Sequence, residues 1–203
     1  MKSKFTFKEK IYHLKGKIRE LNKELKNRDR KIKKLESEVN KDDLTRIYSR
    51  KRILEELSYL INLYDRNHLP FTSILFDIDD FKDVNVVGLV IGDKLLKHLS
   101  MLIKRYLRKT DKLGRLGGDE FLILLPGTKI ANAKEFAERI RNKVESHTFN
   151  FKNSDKIKVT ISGGLVQYNG EYKDPIELLR RADVGLRESK KNGKNQFNIF
   201  PED

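Results

Sequence analysis

The chain has 203 residues, 44 Lys/Arg against 30 Asp/Glu for a formal charge of +14, and no cysteine. That length allows one domain of ordinary size plus an appendage. The absence of thiols excludes a disulfide framework and any thiolate metal site, so a reducing cytoplasm is the expected home and metal ligands must be oxygen or histidine. No apolar run approaches the ~20 residues that span a bilayer, so a soluble chain with no membrane partner is expected. Residues 1–40 hold fourteen Lys/Arg and six Asp/Glu and thus carry +8 of the charge. The moderately basic remainder suits a phosphate-rich small substrate as well as a polynucleotide, and charge alone does not choose.

Ile11, Leu14, Ile18, Leu21, Leu25, Arg28, Ile32, Leu35 and Val39 alternate in steps of three and four. Such a seam, kept for about four heptads between charged positions, predicts a coiled coil over residues 1–40 and a parallel homodimer. A lone charged helix lying on its own domain is the alternative, and Arg28 in the seam and Gly16 within the helix both speak for it. The heptads stop at Asn40-Lys41-Asp42-Asp43-Leu44-Thr45, where the second domain, 41–203, begins. A helix then follows Ser49, carrying Ile53, Leu54, Leu57, Leu60, Ile61 and Leu63.

Phe71-Thr72-Ser73-Ile74-Leu75-Phe76 reads as a buried strand that delivers acids at its end, Asp77-Ile78-Asp79-Asp80, with Asp77 and Asp79 on one side by period two. Helical spacing resumes from Leu95 to Leu107, and next comes Arg115-Leu116-Gly117-Gly118-Asp119-Glu120-Phe121-Leu122-Ile123-Leu124-Leu125. Its Gly-Gly pair predicts a tight hairpin turn, because primed turns need positive φ. That hairpin either keeps a surface turn soluble or holds two carboxylates for a metal. A helix over Ala133–Val144, a strand over Lys156–Tyr168 with a bulge or close approach at Gly163-Gly164, and a last helix opened by Asp174-Pro175 complete the order. Helix, strand, helix, hairpin, helix, strand, helix implies an α/β or α+β sandwich of helices on a central sheet.

If the strand ending in Asp77 and the hairpin are neighbours, their carboxylates meet. Mutual repulsion then favours a hard cation such as Mg²⁺, which binds through one or two carboxylates together with substrate phosphates. Phosphoryl or nucleotidyl transfer is the chemistry this suggests. His13, His68, His98 and His147 have no nucleophile pattern nearby, so no Ser-His-Asp set competes. Lys190-Lys191-Asn192-Gly193-Lys194-Asn195 supplies cations and a glycine turn able to meet a triphosphate, although a helix C-cap explains it equally well.

From Asp42 to Phe200 the chain resembles the GGDEF domains that act as diguanylate cyclases. The resemblance rests on Asp42-Asp43-Leu44-Thr45, Asp77-Ile78-Asp79-Asp80-Phe81-Lys82, Gly88 with Gly92-Asp93, the Gly-Gly-Asp-Glu-Phe signature, Val159-Thr160-Ile161-Ser162-Gly163-Gly164, and Arg181-Ala182-Asp183 followed by Lys190 and Gly193-Lys194-Asn195. It implies a palm-like, nucleotide-cyclase-like fold with a mostly antiparallel sheet flanked by helices. The implied activity is the joining of two GTP, one per subunit of a homodimer, into cyclic di-GMP, with no nucleic-acid partner.

By position, the resemblance implies that Asp77, Asp119 and the Ile78 carbonyl hold Mg²⁺, with Mn²⁺ able to replace it, and that Glu120 completes the catalytic charge set. Asn85 and Asp93 match a pair that reads guanine. The Phe81 and Lys82 backbone with the Lys190 and Lys194 side chains matches a triphosphate cradle. Arg108, Asp111 and Arg139 match an inhibitory product site of RxxD type. Some positions depart from the pattern. Val86 follows Asn85 where Asp is usual, one residue is missing before Gly88, Leu89 replaces histidine, and Arg46, Ser49, Arg187 and Lys194 replace glycine, asparagine, tyrosine and arginine. The stretch joining Asn85 to Asp93 is therefore expected to be reshaped, and Lys194 keeps charge without the bidentate fork.

Overall fold

The structure, a computed structural model, describes residues 7–151, 156–171 and 173–200. It divides into two units, 1–39 and 40–203. The first is helix α1 (Phe7–Val39). Along it the seam residues Ile11, Leu14, Ile18, Leu21 and Leu25 are 38–57% exposed, and Val39 is 60% exposed. Ile32 and Leu35, also in the expected seam, lie outside the residues whose side chains are described. The helical part of the expectation thus holds.

The second unit contains α2 (Arg50–Asn67), β1 (Phe71–Ile78), α3 (Phe81–Val87), α4 (Leu89–Lys104), β2 (Lys112–Gly117), β3 (Glu120–Pro126), α5 (Ile130–Glu145), β4 (Ile161–Tyr168), α6 (Pro175–Lys191) and β5 (Phe197–Ile199). Its sheet runs β2-β3-β1-β4-β5, antiparallel except for the parallel β4–β5 pair. The expected mostly antiparallel sheet flanked by helices is what forms.

Alternation along β1 sorts the core into two faces. Ile74, Phe76 and Ile78 join Phe121 and Ile123 in the cluster packed by α4 and α5, whereas Phe71 and Leu75 join Leu122 and Leu124 in the cluster packed by α2 and α6. Helices on both faces explain why β1 is buried at every position. Phe76 and Phe121 stack across the β1–β3 pair at 5.2 Å, an arrangement that contributes about 1 kcal/mol beyond burial. Asp77 shares the parity of Leu75, so its side chain points to the α6 side.

One expectation needs correction. The strand read over Lys156–Tyr168 begins only at Ile161, and Ile157 instead makes an isolated bridge to Phe149. Of the two alternatives at Gly163-Gly164, close approach is the one that forms: β1–β4 register is continuous, and a Cβ on Gly164 would lie 2.0 Å from the Ala182 carbonyl of α6. Only glycine lets α6 settle this close to the sheet. β1 stops at Ile78, and Asp79 just beyond it is reached by Ser162, the β4 residue that pairs with Asp77. The short α3 and β5 carried too few periodic residues to be read from the sequence.

Candidate active site

The turn between β2 and β3 is formed by Gly118 and Asp119, one residue later than a Gly-Gly turn would place it, with an irregularity between Arg115 and Gly117. Gly118 adopts φ 52°, and a Cβ there would meet nothing within 4 Å, so glycine is required by conformation and not by crowding. Asp119 therefore lies in the turn itself. Glu120 opens β3 directly opposite Asp77 in the β1–β3 register.

Register thus brings the two acid groups together at one end of the sheet. Asp77 is 7% exposed, and its Oδ1 is buried without a hydrogen-bond partner. Burial and then the adjoining Asp119 carboxylate push its pKa up to about 7, against the opposing pull of Lys190, which is ion-paired to its Oδ2. Lys190 reaches this position because α6 ends here: Ser189 Oγ bonds the Gly163 carbonyl of β4 at 2.7 Å and the Gly185 carbonyl at 2.9 Å, fixing the turn just before it.

Asp79, two residues on, has the opposite environment. Its carboxylate accepts hydrogen bonds from Thr160 Oγ1 and Ser162 Oγ, both at 2.7 Å, and from the Asn195 amide at 3.0 Å. Fully satisfied, it ties the end of β1 to the stretch after α6. Within that stretch Gly193, Lys194 and Asn195 all have positive φ, at 105°, 63° and 48°. Non-glycine residues hold this conformation only where surroundings impose it. Here Asn195 is gripped by Asp79 on one side and by Glu145 (2.8 Å) and Arg141 (3.1 Å) of α5 on the other. Lys194 Nζ bonds Asp80, which raises its pKa.

Among the described residues no three His, Asp or Glu side chains converge as a complete metal cage. The pair present still fits a divalent cation: one buried carboxylate oxygen lacks a partner, and a second carboxylate beside it repels.

Asn85 of α3 packs against Gly92 of α4, the residue before Asp93: a Cβ on Gly92 would lie 2.1 Å from Asn85 Oδ1. The expected reshaping takes a definite form: Gly88 alone (φ 155°) joins the two helices, leaving Val86, Leu89 and Val90 exposed. Phe81 and Lys82 begin α3, where helical N–H groups lack intrahelical acceptors. Arg108 and Asp111 form a local turn, with the Arg108 amide donating to Asp111 Oδ2 at 2.8 Å. Arg139 is stacked on Phe136 of α5 and has no hydrogen bond to that turn among the described residues.

One residue escaped the sequence reading. Arg115 donates from Nε to the Gly118 carbonyl (2.8 Å) and from NH1 to Asp42 (3.2 Å), clamping the signature turn to the 42–45 corner. Despite the burial that would raise it, Asp42 has a lowered pKa because Thr45 and Arg115 hydrogen-bond its carboxylate. Only the position of Arg115, two residues before the glycines, could have hinted at this.

Comparison with known proteins agrees with that geometry. The family model "Diguanylate cyclase, GGDEF domain" matches residues 39–196. Diguanylate cyclase A of Treponema denticola is 36% identical over 148 residues, 72% of this chain and 40% of that protein, and the chain spans less than half the length of the curated relatives it matches. The diguanylate cyclase SiaD of Pseudomonas aeruginosa, solved with its activator SiaC, superposes with TM-score 0.77 at 26% identity over 94% of this chain and 75% of that one. The coiled coil and GGDEF domain of Caulobacter crescentus DgcB, in complex with c-di-GMP, gives TM-score 0.84 at 22% identity over 92% and 98%. With the signature turn, the sheet order and the family match in agreement, this chain belongs to the GGDEF domain family of diguanylate cyclases.

Proposed function

We propose that the chain is an active diguanylate cyclase, condensing two GTP into cyclic di-GMP and two pyrophosphates. The observation that carries this is the buried, partnerless Oδ1 of Asp77 beside Asp119, with Lys190 at the same carboxylate. Asp77, Asp119 and the Ile78 carbonyl would hold Mg²⁺ or Mn²⁺, and Glu120 adds charge at the rim. When bound, the ion supplies charge neutralisation for the triphosphate and a lowered pKa for the attacking hydroxyl. Asn85 and Asp93 orient guanine, Asp93 accepting from nitrogens that adenine does not offer as donors. Lys190, Lys194 and the first N–H groups of α3 bind the phosphates. Each 3′-oxygen forms a bond to the α-phosphorus of the other GTP, the bond to the bridging oxygen breaks, pyrophosphate leaves, and the hydroxyl proton passes to water at exposed Glu120.

One site holds one GTP, so two copies must face each other. Residues 1–40 are assigned as a dimerising coiled-coil stalk and 41–203 as the cyclase domain. The uncovered seam of α1 supports this. Arg108 and Asp111, with Arg139, form the product-inhibition site, and the protein works in the cytoplasm without nucleic acid. Among the described residues no helix is long and apolar enough to cross a membrane.

A second reading is favoured by the single-glycine α3–α4 joint with exposed Val86, Leu89 and Val90: a module that binds GTP or cyclic di-GMP without turnover. Incubation with GTP and Mg²⁺ separates the two. Formation of cyclic di-GMP and pyrophosphate by wild type and not by Asp119→Ala supports the enzyme; GTP binding without product removes it. Deleting residues 1–40 should shift sedimentation towards monomer and lower activity, and an unchanged truncated chain would refute the stalk.

A further inference from the structure

Arg141 lies on α5, a helix that supplies no group to the metal or substrate positions, yet its side chain is only 16% exposed and all three guanidinium nitrogens are engaged. Nε donates to Glu138 at 2.9 Å, NH1 to Glu145 at 2.9 Å and to Asn195 Oδ1 at 3.1 Å, and NH2 to Asn142 at 2.6 Å. Glu138, Asn142 and Glu145 belong to α5 itself and brace the planar group. The bond to Asn195 is the one that leaves the helix.

Asn195 is held at every polar atom that Arg141 can influence. Its side-chain oxygen accepts from Arg141, its side-chain nitrogen donates to Glu145 at 2.8 Å, and its backbone amide donates to Asp79 at 3.0 Å. Because α6 packs on one face of the sheet and α5 on the other, the chain leaving α6 crosses the sheet end and is caught on the far side. Lys194 sits between two anchors, its own amide donating to the Ser189 carbonyl at 3.0 Å and the next residue fixed to α5. Three successive residues in the left-handed region, two of them not glycine, would relax if one anchor were lost. The backbone from which Lys194 projects is therefore maintained by tertiary contacts, and Arg141 supplies one of them.

We propose that Arg141 is a positioning residue for the triphosphate: by fixing Asn195 it keeps the left-handed turn in place and Lys194 aimed at the phosphates. The proposal rests on the reading of Lys194 as a phosphate ligand and adds no contact between Arg141 and the nucleotide. Without this anchor the 193–195 stretch has to be ordered when GTP binds, and the lost entropy is subtracted from affinity. Asp77 and Asp119 are untouched, so the loss falls on KM and not on kcat.

The full chain with Mg²⁺ is titrated calorimetrically with 3′-deoxy-GTP, which lacks the attacking hydroxyl and cannot be condensed. The proteins are wild type, Arg141→Ala, Asn195→Gly, Lys194→Ala and each of the first two variants combined with Lys194→Ala. Glycine takes φ 48° without strain, so Asn195→Gly removes the carboxamide while the backbone can keep its shape and its bond to Asp79. Should Arg141→Ala fail to fold, Asn195→Gly carries the test. Each single variant at 141 or 195 is expected to weaken binding about fivefold. Initial rates of pyrophosphate release should show KM for GTP rising by the same factor, with kcat held within about twofold. In the Lys194→Ala background both changes should have no further effect, because the side chain they aim is gone. Equal weakening with and without Lys194 would mean that Arg141 acts through its charge or through general stability, and overturns the proposal. Unchanged affinity in Asn195→Gly, with Lys194→Ala weakened, also overturns it and leaves the phosphate role of Lys194 standing. Failure of wild type to bind the analogue, or full affinity in Lys194→Ala, overturns that phosphate role and this proposal with it.

Discussion

The acidic end of β1 and the basic cavity around Arg46 are both dense in charge, yet they are built in opposite ways. At β1 the carboxylates are buried and divided in labour: Asp79 is saturated by Thr160, Ser162 and Asn195, while Asp77 keeps an unpartnered oxygen and a pKa near 7. In the cavity, between the 42–48 corner and the Arg108–Asp111 turn, the cations are mostly exposed, and Arg46 reaches Asp43 only at 3.9 Å with both side chains open to solvent. Burial makes the first region part of the folding problem, because unsatisfied or uncompensated groups there cost stability. Exposure frees the second from that constraint.

The largest effect should come from Asp119→Ala. Cyclic di-GMP formation at saturating GTP and Mg²⁺ is expected to fall about a thousandfold or more, on the order of 4 kcal/mol, with an unchanged melting temperature in chelator. A loss below tenfold would remove Asp119 from the chemistry.

Asp79→Ala tests the structural partner. It deletes three hydrogen bonds and strands the Thr160 and Ser162 hydroxyls, so urea unfolding should show a loss of about 3 kcal/mol. A loss under about 1 kcal/mol would erase the division of labour between Asp77 and Asp79.

Asp77→Asn sharpens it through pH. The folded-state pKa, about 7, lies above the ordinary 3.8, because burial first and Asp119 second disfavour the anion. The folded chain therefore binds this proton more tightly than the unfolded chain. The resulting stability is fully present below about pH 4 and is lost as pH rises through 7. In chelator at pH 8, Asp77→Asn should exceed wild type by roughly 2 kcal/mol after allowing for water at the site, and the difference should vanish by pH 4. A pH-independent difference would show that Asp77 ionises normally.

The smallest effect belongs to the cavity: Arg46 lies at φ 59°, which glycine adopts without strain, so Arg46→Gly should change stability by no more than about 0.5 kcal/mol, or raise it slightly. A large destabilisation would mean that Arg46 packs as a structural residue, and the contrast between the two regions would fail.

Much of this molecule was legible in its residue order. The heptad spacing of Ile11 to Leu25, the apolar run of Phe71–Phe76 and the signature itself fix a long helix, a doubly covered strand and an acid-bearing turn, because these are local patterns of period and composition. They also identify Asp77 and Asp119 as candidates to meet. What the sequence did not decide is which acids share an environment. By period two Asp77 and Asp79 looked alike, but β1 ends between them, and partners some eighty and more residues away satisfy one and leave the other open. Likewise, the Gly-Gly pair announced a turn, and only the β2–β3 register moved that turn onto Asp119. Arg115 gained its contact with Asp42 only after chain segments 73 residues apart in sequence are packed together. Local propensity sets the elements; pairing register and burial set which charges are left unmatched.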